Sequence, residues 1–346
     1  MIHEMKMSFP GISCAHLDAA GIVTTWCHGV SDQEKNIPVD ENTIFPACSM
    51  SKFVTAICLM KLHEETVIDI DRPVNQYLPN WKLLTTDGSE SDATIRALMC
   101  HTAGIVDGED GFYGLRRNDP EVSLIDILEG RTFYNNRPVR ASKPQGTAFE
   151  YSDAGYCVLQ LLVQEAVHKP FEDAAKEIIF DGLNLNSTFY ASPGKLAYYE
   201  KNKTMATGYD GEGHPLPGRF PPCPDLAGAG LWSTPQELLI IAKAFMEAFN
   251  GKSSFLQEKT ARAMAKPVDQ FPWTGLGVFV CGEDMLMTQG WGEHGQCMMK
   301  MNCRTEQISV VMTNRNPEKP QAESGVEWLV DQNLTAFSSD QSGSTK

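Results

Sequence analysis

Ser49-Met50-Ser51-Lys52, running into the apolar stretch Phe53 to Leu62, decides the reading of this 346-residue chain. It follows Thr43-Ile44-Phe45-Pro46, which reads as a loop or strand end. A serine three residues ahead of a lysine, at the first turn of a helix, puts both side chains on one face. An alcohol is a weak nucleophile at neutral pH and needs a neighbouring base. A helix start also offers unpaired N–H groups and a positive dipole end. These suit a developing oxyanion and are expected to depress the Lys52 pKa. The plain alternative is Ser49 as an N-cap and Lys52 as a solvated lysine.

Composition narrows the field. At 42% hydrophobic, the chain can bury one large core or two modest ones. Its formal charge is -15, with Lys and Arg scattered, so neither nucleic acid nor a membrane surface is expected as a partner. The start, Met1 to Met7, has no apolar core of a signal peptide, and no run reaches the length of a membrane span, so the expected location is cytoplasmic. Ten cysteines (14, 27, 48, 58, 100, 157, 223, 281, 297 and 303) form no C-x-x-C pair and mostly lie in apolar patterns. They read as buried free thiols of a reducing compartment, and no metal or cofactor is expected.

Ile12 to Leu17 and Ile22 to His28, joined by Asp18-Ala19-Ala20-Gly21, read as a hairpin. Helices are expected from Ser49 to about Glu64, after a Thr94 cap, over Ser123 to Glu129, Gly155 to His168 and Phe171 to Phe180, and from Thr234-Pro235 to Phe249. Gly275 to Cys281, Cys297 to Asn302 and Ile308 to Thr313 read as strands, and Ser324 to Leu334 as a closing helix. Met298, Met299 and Met301 are not expected to be all core, because strand neighbours face opposite ways. Strands at both ends with helices between give an α+β fold. An antiparallel sheet flanked by helices is built from both termini, with an inserted, mainly helical lobe. The expected division is a sheet lobe of residues 1–70 and 226–337, a helical lobe of 71–225, and a disordered tail of 338–346.

Two further stretches carry chemistry. Phe149-Glu150-Tyr151-Ser152-Asp153 sets a tyrosine just ahead of a helix, and Trp291-Gly292-Glu293-His294-Gly295-Gln296-Cys297 sets a histidine at the start of a late strand. Ser49 as nucleophile, Lys52 and Tyr151 as proton carriers and a strand edge to hold substrate make an acyl-transfer site. On these motifs the chain resembles the serine β-lactamase, penicillin-binding protein and esterase superfamily, in particular its class C β-lactamase and family VIII carboxylesterase branch. The likeness runs from about Phe9 to Asn333. It includes Leu98 to Ile105 around His101-Thr102, Gly146 to Asp153, Ala206 to Tyr209, Gly230 to Pro235 and Gly275-Leu276-Gly277.

The resemblance implies that Ser49 is acylated, that Lys52 and Tyr151 serve as base and proton carrier, and that His294-Gly295-Gln296 is the third motif. By the same route the oxyanion hole falls to the backbone N–H groups of Ser49 and Cys297, and Asp153, His294, Gly295 and Gln296 are substrate-binding. Two departures stand out. Asp153 replaces the family's asparagine; a carboxylate cannot donate to a substrate carbonyl, but it can pair with Lys52, which leaves Tyr151 as base. His294 replaces a lysine that would hold a substrate carboxylate, so His294→Lys is expected to restore affinity for anions. Both departures favour esters or amides over β-lactams. The alternatives are β-lactamase, D-alanyl-D-alanine carboxypeptidase or D-aminopeptidase action, acyl transfer to an acceptor other than water, and a non-catalytic binding or scaffold role. The oligomeric state is left open. His101, Thr102, Trp232 and Trp291 read as structural; Glu293 reads as solvated.

Overall fold

The computed structural model describes residues 8–109, 111–117 and 119–335. The sequence-expected tail, 338–346, lies outside them. Strands from both ends of the chain meet in one seven-stranded sheet. The N-terminal strands are β1 (Gly11–Leu17), β2 (Val23–Asp32) and β3 (Ile37–Pro38); the C-terminal ones are β4 (Phe279–Val280), β5 (Met285–Gly292), β6 (Gly295–Asn302) and β7 (Gln307–Thr313). Their order is β3-β2-β1-β7-β6-β5-β4, antiparallel at every pairing. The two ends of the chain are stitched at the centre, where Ile12 to Leu17 pair with Thr313 to Ile308.

Helices cover both faces of this sheet. α1 (Ser51–Glu64), α2 (Asp153–Val167), α3 (Pro235–Phe249) and α4 (Val326–Thr335) are the principal ones. Ile12, Cys14, Met298 and Val311 pack under α4 with Val326 and Val330. The intervening residues Ala15, Leu17, Met299, Met301, Val310 and Met312 join the larger core that holds α1 and α3. The strand alternation is therefore as expected, but Met298, Met299 and Met301 are all buried, because neither face is left to water.

α1 is buried on every side from Ser51 to Met60, as its unbroken apolar sequence requires of a helix that runs through the middle of a core. Thr94 and Thr234 cap their helices as expected, accepting from the N–H groups of Ala97 and Glu237. The C-terminal third differs from the sequence reading. Only Phe279–Val280 of the expected Gly275 to Cys281 strand is extended, and β5 was not expected at all. Gly325, at φ 93, breaks the closing helix into Gln321–Ser324 and α4.

Candidate active site

Ser49 sits in a 3-10 turn, Cys48–Met50, that leads into α1; Met50, not Ser49, is the N-cap residue of that helix. Cys48 enters the turn at φ 45, a left-handed conformation that is costly for a residue with a Cβ. One helical turn on, Lys52 projects onto the same face, and its Nζ donates to Ser49 Oγ at 3.1 Å. The same ammonium donates to Asp153 Oδ1 at 2.5 Å and to the Gly228 carbonyl at 3.0 Å. Tyr151 stands against the same group: the Lys52 Nζ lies 4.8 Å from its ring centroid. Three acceptors thus take up the three N–H bonds of the ammonium.

Burial alone would depress Lys52, but the Asp153 carboxylate and Tyr151 outweigh it and hold the pKa well above that of a free lysine. This reverses the helix-start expectation. The dipole of α1 is overridden by a carboxylate in direct contact. Tyr151 is also raised: burial is the main cause, Lys52 opposes it and Asp153 adds to it. Asp153 therefore holds protons on both candidate carriers.

The second motif is pinned by residues that the sequence reading passed over. Ser152 is the N-cap of α2, accepting from Gly155 N–H, while its hydroxyl donates to Asp107 Oδ1 at 2.6 Å. Asp107 Oδ2 accepts the Asp153 N–H at 2.6 Å, and burial, with Asp153 nearby, pushes the Asp107 carboxyl up to about 6. His101, at φ 62, accepts the Ser152 N–H on Nδ1, and its ring lies 4.3 Å from that of Tyr151. Burial, then the Lys52 charge, pulls its pKa well down, so it is a neutral ring packed under the tyrosine. His101 is structural in that sense, but it touches a candidate proton carrier. Asp107 carries no sequence signal; its partners come from 45 residues away.

The third motif is displaced. His294 and Glu293 form the two-residue turn between β5 and β6, not the start of a strand. Gly295, Gln296 and Cys297 lie on β6, inside the sheet between β5 and β7. Gln296 turns its N–H and C=O to the Thr313 hydroxyl on β7, so the N–H of the next residue, Cys297, points at its β5 partner Gly290. Cys297 cannot then serve the oxyanion hole; its thiol instead donates to the Ala47 carbonyl. His294 is 9% exposed and packs on Trp232, and burial drives its pKa down to about 4. It supplies no cation. Glu293 is not simply solvated: it pairs with Arg116 at 2.6 Å and accepts the Gly114 N–H.

The strand that faces Ser49 is β5. Gly290 is required there, since a Cβ would sit 2.5 Å from the Ala47 carbonyl oxygen and 2.8 Å from Cys48 Cβ. Gln289 and Trp291 line the cleft with Ser49, Tyr151 and Asp153. Trp291 is opposite Gln296, whose backbone bonds go the other way, so the Trp291 N–H and C=O turn outward to the free edge at the cleft. The sequence carries no period-two signal for this strand: its buried positions are Leu286, Thr288 and Gly290, while Met285, Met287 and Gln289 are half-buried.

A mostly antiparallel sheet, a buried helix opening on Ser49 and a second motif at the start of α2 make up the architecture of the serine β-lactamase and penicillin-binding-protein class. The chain belongs to the Beta-lactamase family, whose model matches residues 2–332. It is similar to the esterase EstB of Burkholderia gladioli, 26% identical over 291 residues that cover 76% of this chain and 69% of that protein. It is 27% identical to the putative penicillin-binding protein PbpX of Bacillus subtilis (strain 168), over 60% of this chain and 48% of that one. The solved structure of D-amino acid amidase from Ochrobactrum anthropi SV3 superposes with a TM-score of 0.78 at 20% identity, covering 97% of this chain and 98% of its own. EstCE1, described as a hydrolase with promiscuous acyltransferase activity, gives 0.74 at 19%, over 94% and 93%.

Proposed function

We propose that this chain is a serine hydrolase acting on small-molecule esters or amides through an acyl intermediate on Ser49. The observation that carries the reading is the 3.1 Å contact between the Lys52 ammonium and Ser49 Oγ, with the Tyr151 ring 4.8 Å from that ammonium in the same cleft. Attack by Ser49 requires its proton to leave along this cluster. Lys52 is already a fully engaged ammonium, so the acceptor is Tyr151 in its deprotonated form, with Lys52 stabilising the phenolate. The N–H groups of Ser49 and Trp291 are the oxyanion donors in this reading, one from each wall of the cleft. Esters or amides without an anionic group are favoured over β-lactams. Among the described residues at the cleft, Lys52 is the one cation beside Ser49, and Asp153 neutralises it.

Named relatives of the esterase, amidase and hydrolase kind support this reading. No helix among the described residues is long and apolar enough to cross a membrane. A reducing, cytoplasmic setting accords with ten free thiols, seven of them buried. Ser49→Ala tests the nucleophile. Turnover of p-nitrophenyl butyrate is expected to fall by roughly 10⁵-fold or more with the circular-dichroism melt unchanged. Retained turnover would remove Ser49 from the mechanism.

A further inference from the structure

The cleft at Ser49 has two compartments. One is an open groove of about 580 Å³ walled by Tyr113, Tyr151, Phe279 and Trp291. The other is a recess of about 60 Å³, bordered by Ser49, Tyr134, Asp153, Asp225, Trp291 and His294. We propose that the recess binds a compact ammonium group on the acyl part of the substrate, so that esters or amides of short amino acids are preferred. The inference rests on Ser49 being the acylated residue.

Charge and unfilled hydrogen-bonding capacity point the same way. Asp225 is 1% exposed; its Oδ1 accepts the Tyr134 hydroxyl at 2.6 Å and the Cys223 thiol at 3.0 Å. Its Oδ2 takes no hydrogen bond from the described residues. That oxygen converges with Asp153 Oδ1: both lie within 3.4 Å of the point where Gly228 would carry a Cβ. Lys52 is the one ammonium for the pair, and Asp153 takes it. Burial, then the repulsion of Asp153, pushes the Asp225 carboxyl up to about 6, which marks a site short of one positive charge.

His294 supplies the independent observation. Its ring is nine-tenths buried at the recess, and its Nδ1 has no hydrogen-bond partner. A buried nitrogen without a partner costs free energy unless a ligand satisfies it. An anion in the recess would face Asp153 and Asp225, and an alkyl group would leave Asp225 Oδ2 and His294 Nδ1 unpaired. An ammonium brings three donors and a charge to these acceptors, against the aromatic walls of Tyr134 and Trp291. The recess admits a few heavy atoms, which limits the group to a primary amine on a short stem.

Glycine p-nitroanilide and p-nitropropionanilide differ only by ammonium against methyl. Each kcat/KM is divided by the uncatalysed rate, because an α-ammonium also activates the carbonyl. The normalised ratio is expected to favour glycine by about tenfold or more, and Asp225→Asn to lower it. Ethylammonium chloride, at ionic strength held with sodium chloride, is expected to inhibit p-nitrophenyl butyrate hydrolysis by wild-type protein competitively; this reading does not depend on the variant folding. A normalised ratio near one, or no inhibition by ethylammonium up to about 0.1 M, with butyrate turned over normally, overturns the recess assignment alone. No turnover of any ester or amide and no labelling of Ser49 sinks the hydrolase reading, and this inference with it.

Discussion

The turn at Cys48–Met50 and the turn at Glu293-His294 stand close to one cleft, yet one was plain in the sequence and the other misleading. Ser49 and Lys52 are three residues apart on one helical turn, so their contact follows from the chain's local geometry. Which strand faces Ser49 is a different matter. It depends on the pairing order of β5, β6 and β7, and a hairpin can pass the same residue types one strand inward. His294 and Gln296 then end buried or inside the sheet, while Gln289 and Trp291 take the edge. Local spacing fixes what one element carries; long-range pairing fixes what that element faces.

The largest effects should come from the locally specified side. Lys52→Ala and Tyr151→Phe are each expected to lower kcat/KM for p-nitrophenyl butyrate by roughly 10² to 10³-fold. The double variant should lose little more than the worse single one, since both serve one proton path. Near-wild-type activity for Tyr151→Phe would leave that residue to packing against His101 and Phe279.

The strand assignment is sharpened by moving a lysine between the two candidate positions. Gln289→Lys puts a cation on the cleft edge and should raise nitrocefin turnover relative to the butyrate ester, by about tenfold. His294→Lys buries that charge beside Trp232, and should lower the melting temperature without improving nitrocefin. This replaces the sequence expectation that His294→Lys restores anion affinity. The opposite pattern in steady-state rates and melts would return the third motif to β6.

Asp153 gives a smaller effect, on pH dependence. Lys52 and Tyr151 both have raised pKa values, with Asp153 contributing to each, so the productive, deprotonated cluster forms only as pH rises. The kcat/KM profile should climb above neutrality, and Asp153→Asn should move that climb to lower pH. An unmoved profile would mean that Asp153 does not set the proton inventory.

Much of the fold was legible because its signals are local: the Thr94 and Thr234 caps, the continuous apolar stretch of α1 and the hairpin of β1 and β2. β5 escaped because its buried positions Leu286, Thr288 and Gly290 mix apolar, polar and small residues, and the small size of Gly290 and Gly292 serves the close approach to Cys48. Asp107, His101 and Asp225 escaped for a different reason. Each meets the site through a partner at least 45 residues away, Ser152 for Asp107 and His101, and Tyr134 for Asp225.

In the proposed mechanism an acyl group resides on Ser49 during turnover. Acid-quenching the protein within its first turnovers of p-nitrophenyl butyrate, followed by proteolysis and mass mapping, reads this directly. A butyryl increment is expected on the peptide carrying Ser49, absent from Ser49→Ala and more abundant when deacylation is slow. An increment on Ser51, Ser152 or a cysteine instead, with Ser49 unmodified during turnover, would contradict it.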